Sequence, residues 1–248
     1  MNECVYIHEF IDIIGHNRAN YMHHITANWS PIAQVERRQK CFGVFGTVGS
    51  TRVWPEVVNI WEHGNWDEMA DNFEHEFSHP TLQDPALADW WAEAANFRSR
   101  GLDRLLVAAP WTRTIDELCA DGVTGVTYAH ELVRVKPGSA TTYLDAVRDL
   151  AVDTYRAHGL ELAAAWRTAM CGESEAILLW AVPTWRTWSD FELHQLDDER
   201  LTAWTRETAP LVERLDRFLL VDAPLSPLRT GRQPREEDRA TYTLPTRK

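Results

Sequence analysis

The sequence predicts an α+β fold: two tandem βαββαβ repeats packed sheet to sheet as a pseudo-dimeric α+β barrel. Three observations carry this. First, residues 4–110 and 126–224 read as two copies of one unit. Tyr6-Ile7-His8-Glu9-Phe10 returns as Tyr128-Ala129-His130-Glu131-Leu132, and Tyr21 as Tyr143, at an offset of 122. Trp61, Trp66 and His75 return as Trp180, Trp185 and His194, Leu87 and Trp90 as Leu201 and Trp204, and Asp103-Arg104-Leu105-Leu106 as Asp216-Arg217-Phe218-Leu219. The offset shrinks in order through 119 and 114 to 113, as short loop deletions would produce. Second, each copy reads strand, helix, strand, strand, helix, strand. Third, that order gives an antiparallel sheet with its helices on one face and the other face bare. Two bare sheets in one chain can cover each other.

The elements follow from local pattern. Val5–Ile14 is apolar and β-branched enough for a strand. Tyr21, Ile25 and Trp29 recur at four-residue spacing, which predicts a helix over 17–28. Ser30-Pro31 reads as an N-cap and first-turn proline that restart a helix to about Gln39. Strands are expected over 42–48 and 56–62, helices over 67–77 and 85–98, and a closing strand over 105–109. In the second copy Pro137-Gly138-Ser139 makes a turn, and His158-Gly159 a helix stop. The expected organisation is a first repeat at 1–111, a linker at 112–125, a second repeat at 126–224, and a Pro/Arg-rich, disordered tail at 225–248.

Composition narrows the function. The chain has 248 residues and a net charge of −12, which argues against nucleic acid or an anionic membrane as the main partner. The tail holds six basic and three acidic residues, so the body is near −15. Cys4, Cys41, Cys119 and Cys171 are scattered without C-x-x-C spacing and read as reduced thiols of a cytosolic protein. No apolar run approaches membrane-spanning length, and charged Glu3, Glu9 and Asp12 exclude a signal peptide. Of twelve tryptophans, six fall in repeat-matched pairs and are expected to pack the core.

The run Tyr128…Lys136-Pro137-Gly138…Tyr143-Leu144, then Leu179-Trp180 before a helix, then Trp90 or Trp204 in a following helix, resembles NIPSNAP domains of the dimeric α+β barrel (ferredoxin-like) superfamily. The resemblance covers both copies. The first copy departs from it with Ile14-Gly15-His16 in place of Lys-Pro-Gly, and Glu9 and Glu131 stand where many members carry a first-strand arginine. The resemblance implies the fold. The wider superfamily includes cofactor-free monooxygenases, lactone isomerases, polyketide cyclases and haem enzymes, so it leaves the reaction open.

Duplication also locates the site. A residue kept in both copies serves the fold, whereas one present in a single copy is free for function. Seven of ten histidines fall in the first copy, so chemistry is expected there. On the third strand Asn59 and His63 face the apolar Leu178 and Val182 of the second copy. His63 suits general acid/base work near neutral pH. Asn59 could hold an oxyanion. Glu9 lies in an apolar stripe with Val5, Ile7 and Ile11, where desolvation would raise its pKa and make it a base. This requires the Glu9 face of the strand to line the barrel; in the inverted register His8 and His130 line it instead. The expected set is Glu9, His63 and Asn59 as catalytic residues, with Trp61, Tyr21, Glu131 and Trp180 binding substrate.

His75-Glu76-Phe77-Ser78-His79 matches the H-E-x-x-H spacing of zinc peptidases, but Pro80 disfavours helix at His79. No cofactor is expected. Haem or a divalent metal is the alternative, with His8, His63 or the pair His75 and His79 as ligands. The function expected is a small-molecule enzyme with a barrel-interior pocket. It would carry out isomerisation, cyclisation, dehydration or cofactor-free oxygenation on an apolar or aromatic metabolite, as part of a biosynthetic route. A non-catalytic ligand-binding or assembly module is the remaining alternative, and the chain would act as a monomeric pseudo-dimer or a homodimer.

Overall fold

In the computed structural model, which describes residues 1–240, eight antiparallel strands close into a barrel in the order β1-β3-β2-β8-β5-β7-β6-β4. The first copy supplies β1 (Val5–Ile13), β2 (Lys40–Thr47), β3 (Glu56–His63) and β4 (Arg98–Ala108). The second supplies β5 (Thr127–Val135), β6 (Glu161–Thr168), β7 (Glu175–Val182) and β8 (Val212–Asp222). Two short seams join the copies, Phe45–Thr47 against Leu220–Asp222 and Leu106–Ala108 against Trp166–Thr168. Even the bulges repeat: β2 breaks register between Cys41 and Gly43, and β6 between Leu162 and Ala164. A bulge inserts one residue, which is why Phe42 and Phe45, three apart, both join the inner core.

Side chains from all eight strands fill the barrel, among them Tyr6, Phe42, Phe45, Tyr128 and Trp166. This corrects two expectations. The middle of the barrel is a packed core, with a charged pocket of about 530 Å³ beside it that is lined by Arg52, Arg104, Leu132 and Glu175, and β1 turns its Tyr6-His8-Phe10 face inward. Glu9 points out, beneath the helices. The sequence could not separate the two faces because both are buried, one in the barrel and one under the helical layer.

His8 and His130 meet at the barrel centre, Nε2 to Nε2 at 3.0 Å, with the His130 ring stacked on Phe218. Burial holds both imidazoles neutral, with the nearby charges of Arg52 and Arg104 adding to the effect, and pushes His130 down to about 3. The unfolded chain therefore binds more protons below pH 6.5, and this pair's contribution to stability is lost as pH falls from there toward 3. The double variant His8→Leu, His130→Leu is expected to keep more of its pH 7 stability at pH 4 than the parent in urea unfolding; an equal loss would rule out the pair as a source of acid lability.

The helices cover the outer faces. α1 (Arg18–His23) runs through a π-helical turn (His24–Trp29) into α2 (Ser30–Arg37), without the break expected at Ser30-Pro31. In the second copy α6 (Ala140–Ala146) passes through Val147–Ala151 into α7 (Val152–Ala157) in the same way. That copy has no proline there, so the π turn belongs to the packing of the unit. The second helical layers are α3 (Trp66–Phe77) with α4 (Pro85–Ala94), and α8 (Trp185–His194) with α9 (Glu199–Thr208). Asn65, Asp84, Thr184 and Asp198 cap them, each accepting a backbone N–H of the first turn. Of the paired tryptophans, Trp66 and Trp185 start α3 and α8 and stay about half exposed, against expectation; Trp61, Trp90, Trp180 and Trp204 are buried.

The fourth strand is longer than expected and its repeat register is one residue off. Glu9 pairs with Asp103, whereas Glu131 pairs with Arg217. The structural offset is thus 114, and the matching Asp-Arg pairs that imply 113 are out of step. The linker folds as α5 (Ile115–Ala120), opened by a capping box of Thr114 and Glu117, and adds Ile115 and Leu118 to the barrel core. The tail expected to be disordered packs on the first copy through Arg239. Leu228 of α10 (Pro227–Thr230) enters the core, Gln233 bonds both N and O of Cys41 beside the β2 bulge, and Arg239 donates to the carbonyls of Ala27 and Asn28 in the π turn. Residues 241–248 lie outside the described residues.

Candidate active site

A cavity of about 540 Å³ opens between the outer face of the first sheet and helices α1–α4. Its lining includes Glu9, Trp61 and Asp103 from the strands, and Tyr21, Trp29 and Trp90 from the helices. Phe73 and Phe77 of α3 form part of its wall, and Thr168–Met170 of the second copy reach its edge. The cavity lies on the opposite side of the sheet from the barrel interior, yet its lining includes three residues expected from sequence, Glu9, Trp61 and Tyr21, with Asn59 buried behind them.

These four form one hydrogen-bonded chain. Glu9 Oε2 accepts from Trp61 Nε1 and from Asn59 Nδ2, both at 2.9 Å. Asn59 Nδ2 also donates to the Tyr21 hydroxyl at 2.9 Å. Asn59 Oδ1 is buried with no partner, behind the cavity lining. Asp103 sits opposite Glu9 in the β1–β4 ladder. Burial, then the Asp103 charge, raises the Glu9 carboxyl to about 7, against the lowering effect of its two hydrogen bonds and of Arg98. Asp103 is the more exposed of the two, and partial desolvation raises it as well, with Arg98 opposing. Two carboxyls so placed hinder each other's ionisation and titrate as a pair. Arg98, stacked on Trp91 at 3.9 Å, supplies the nearby cation.

The second copy has the same frame and no such cavity group. Glu131 is locked to Arg217 at 2.7 Å, and Arg217 also donates to the Tyr155 hydroxyl at 2.6 Å. Tyr155 stacks on Trp180 with ring centres 4.3 Å apart. At the offset of 122, Tyr155 stands where the first copy has Ala33, and Leu178 pairs with Glu131 as Asn59 pairs with Glu9. Glu131 and Trp180 are therefore structural, which corrects their assignment to substrate binding. His63 also stays outside the cavity lining. Its ring is buried with both nitrogens unpartnered, and burial pushes it down to about 4, so it is neutral and unplaced as a base. His8, enclosed in the filled barrel against His130, is not free to ligate haem.

Sequence reasoning missed Asp103 and Arg98. The available signal was the copy difference itself, Asp103 against Arg217, hidden by the one-residue misalignment. Arg37 of α2 ties the cavity's outer wall together, donating to Asn72 at 3.2 Å and to Glu76 and Asp84 at 2.7 Å each. His75 and His79 lie on that wall beside Asp84.

No family profile matches the sequence, and no curated protein does. Solved structures do. A "putative monooxygenase" from Lactobacillus acidophilus NCFM superposes with a TM-score of 0.59 at 10% identity, over 94% of this chain and 97% of that one. Another so named, from Fusobacterium nucleatum, gives 0.57 at 9% identity, over 90% and 94%. The neighbours include NIPSNAP family proteins. One from Agrobacterium tumefaciens C58 matches at 20% identity and a TM-score of 0.38, over 43% of this chain and 93% of that one, the span of a single copy. The chain thus has the dimeric α+β barrel fold, built from two copies in one polypeptide. Among the described residues no helix is long and apolar enough to cross a membrane.

Proposed function

We propose that the protein is a small-molecule enzyme in which the Glu9–Asp103 carboxyl pair moves a proton on an apolar or aromatic substrate held between the first sheet and its helices. The observation that carries this is a pair of neighbouring carboxyls with raised pKa, the half-buried Glu9 at about 7 and the more exposed Asp103, lining a cavity walled by aromatic rings. A base with a pKa near the working pH combines a useful fraction of its active form with sufficient driving force. In the ionised state Glu9 takes a proton from an acidic C–H or O–H of the ligand. Glu9 is then the neutral acid, and the ligand is an enolate or phenolate. Arg98 offsets the new negative charge, and Asn59, donating to Glu9 Oε2, holds the carboxyl in place. Returning the proton to a different carbon is an isomerisation; expelling hydroxide with it is a dehydration. The structural neighbours named as monooxygenases favour a further branch, in which the carbanion reacts with O2. The indole and phenyl walls select flat apolar ligands.

Deuterium uptake tests the proton step whatever the final product is. Aromatic ketones and enols that raise the melting temperature are incubated with the enzyme in D2O and read by mass spectrometry. Catalysed exchange at the acidic carbon is expected with the parent and absent with Glu9→Gln. Ligands that bind the cavity but never exchange would leave it a binding module.

A further inference from the structure

The H-E-x-x-H run is not a helical zinc-peptidase motif, because α3 ends at Phe77 and His79 lies beyond it. The chain instead turns after α3 and brings Asp84, the N-cap of α4, back against His75. One ligand atom each from His75, His79 and Asp84 lies within 4.8 Å of the others. His75 Nε2 is buried without a hydrogen-bond partner, 3.4 Å from Asp84 Oδ2. The two imidazoles meet edge to face at 5.9 Å. We propose that His75, His79 and Asp84 bind a divalent zinc-like cation that clamps the outer wall of the cavity.

The chemistry of the donors fits. Two neutral imidazoles and a carboxylate are a common three-ligand set for Zn²⁺ and leave a fourth position open to water or a ligand group. Typical bonds of about 2.0–2.2 Å need the three atoms to close in by a fraction of their present spacing. His79 is only partly buried and sits in the turn after α3, so it can make that movement. Arg37 contacts the same carboxylate, but Glu76 balances it at 2.7 Å. Asp84, Glu76 and Arg37 together leave one net negative charge for the cation. The carboxylate is buried with 6% of its side chain exposed, and Arg37 and the Ala86 N–H hold it in place. Bound metal would join the end of α3 to the start of α4. Those helices carry Phe73, Phe77, Leu87, Trp90 and Trp91 of the cavity wall.

The second copy supplies a contrast. Its matched N-cap, Asp198, accepts from His158 at 2.9 Å and Arg200 at 3.2 Å, where Asp84 has Arg37 and His75. No histidine follows His194 before Asp198. Among the described residues the three-ligand set therefore exists only on the copy that has the Glu9 cavity.

The test uses the untagged full-length chain after dialysis against a chelator. Titration with Co²⁺ is read by its visible d–d absorption, and Zn²⁺ by calorimetry and by thermal melting. The expected result is one equivalent bound, with a rise in melting temperature. Both should be lost in His79→Ala and His75→Ala and kept in Glu9→Gln and His194→Ala. His79 is partly exposed in a turn outside the core clusters, so its variant should melt like the metal-free parent. No one-equivalent binding by the parent, or undiminished binding by His79→Ala, would overturn the proposal. Because Glu9→Gln separates the cation from the proton chemistry, either reading can fail alone.

Discussion

Exchanging Glu9 for Gln is expected to lower turnover by about 10²–10⁴-fold, the usual contribution of a positioned acid/base group. The amide keeps the size and can still accept from Trp61 Nε1 and Asn59 Nδ2 through its oxygen, so the cavity survives. Stability should change with the opposite sign to activity. Glu9 titrates at about 7 in the fold, above its value of 4.5 in the unfolded chain. Its contribution is full below pH 4.5 and is lost as pH rises through 7. The parent should thus lose melting temperature between pH 5 and 8 more steeply than Glu9→Gln, and the variant should melt higher at pH 8. A variant that is both inactive and less stable at pH 8 would mark Glu9 as a structural residue.

The second large effect belongs to the other copy. Arg217→Leu should destabilise the protein by about 3 kcal/mol or more, because it strands the fully buried Glu131 charge. For a chain of this size that corresponds to a fall in melting temperature of roughly 10 °C. The double variant Glu131→Leu, Arg217→Leu should recover most of the loss, since apolar groups can replace a buried pair at little cost. Asp103→Leu, at the matched position of the first copy, should do the reverse and raise stability above pH 7, as it relieves a like-charge pair. Calorimetry of the three variants at pH 8 checks the set. Equal losses for Arg217→Leu and Asp103→Leu would contradict the contrast between the copies.

Much of this was legible in the chain. The repeat of Tyr6 to Phe10 as Tyr128 to Leu132 specifies two units, and the bare face of each βαββαβ sheet requires the barrel. Comparing the copies also singled out Asn59 against Leu178. Three features were not legible, for separate reasons. The inward face of β1 was hidden because both its faces are buried, so Ile7 and Ile11 are as apolar as Tyr6 and Phe10. Asp103 was hidden because Asp103-Arg104 and Asp216-Arg217 look like equivalents, yet the ladder places Asp103 opposite Glu9 and Arg217 opposite Glu131. The tail was hidden because, apart from Leu228, it is held by polar contacts such as those of Gln233 and Arg239, which leave no hydrophobic pattern. His63 misled for the opposite reason. It is unique to the first copy, but its place at the end of β3 is simply buried.

The carboxyl pair is tested most directly by a ¹³C NMR titration of side-chain carboxyls in the free protein, with Glu9 assigned from the Glu9→Gln spectrum. The expected result is a Glu9 midpoint near 7, moving down in Asp103→Leu. A midpoint near 4.5, unmoved by that substitution, would show an ordinary carboxylate and contradict the proposed base.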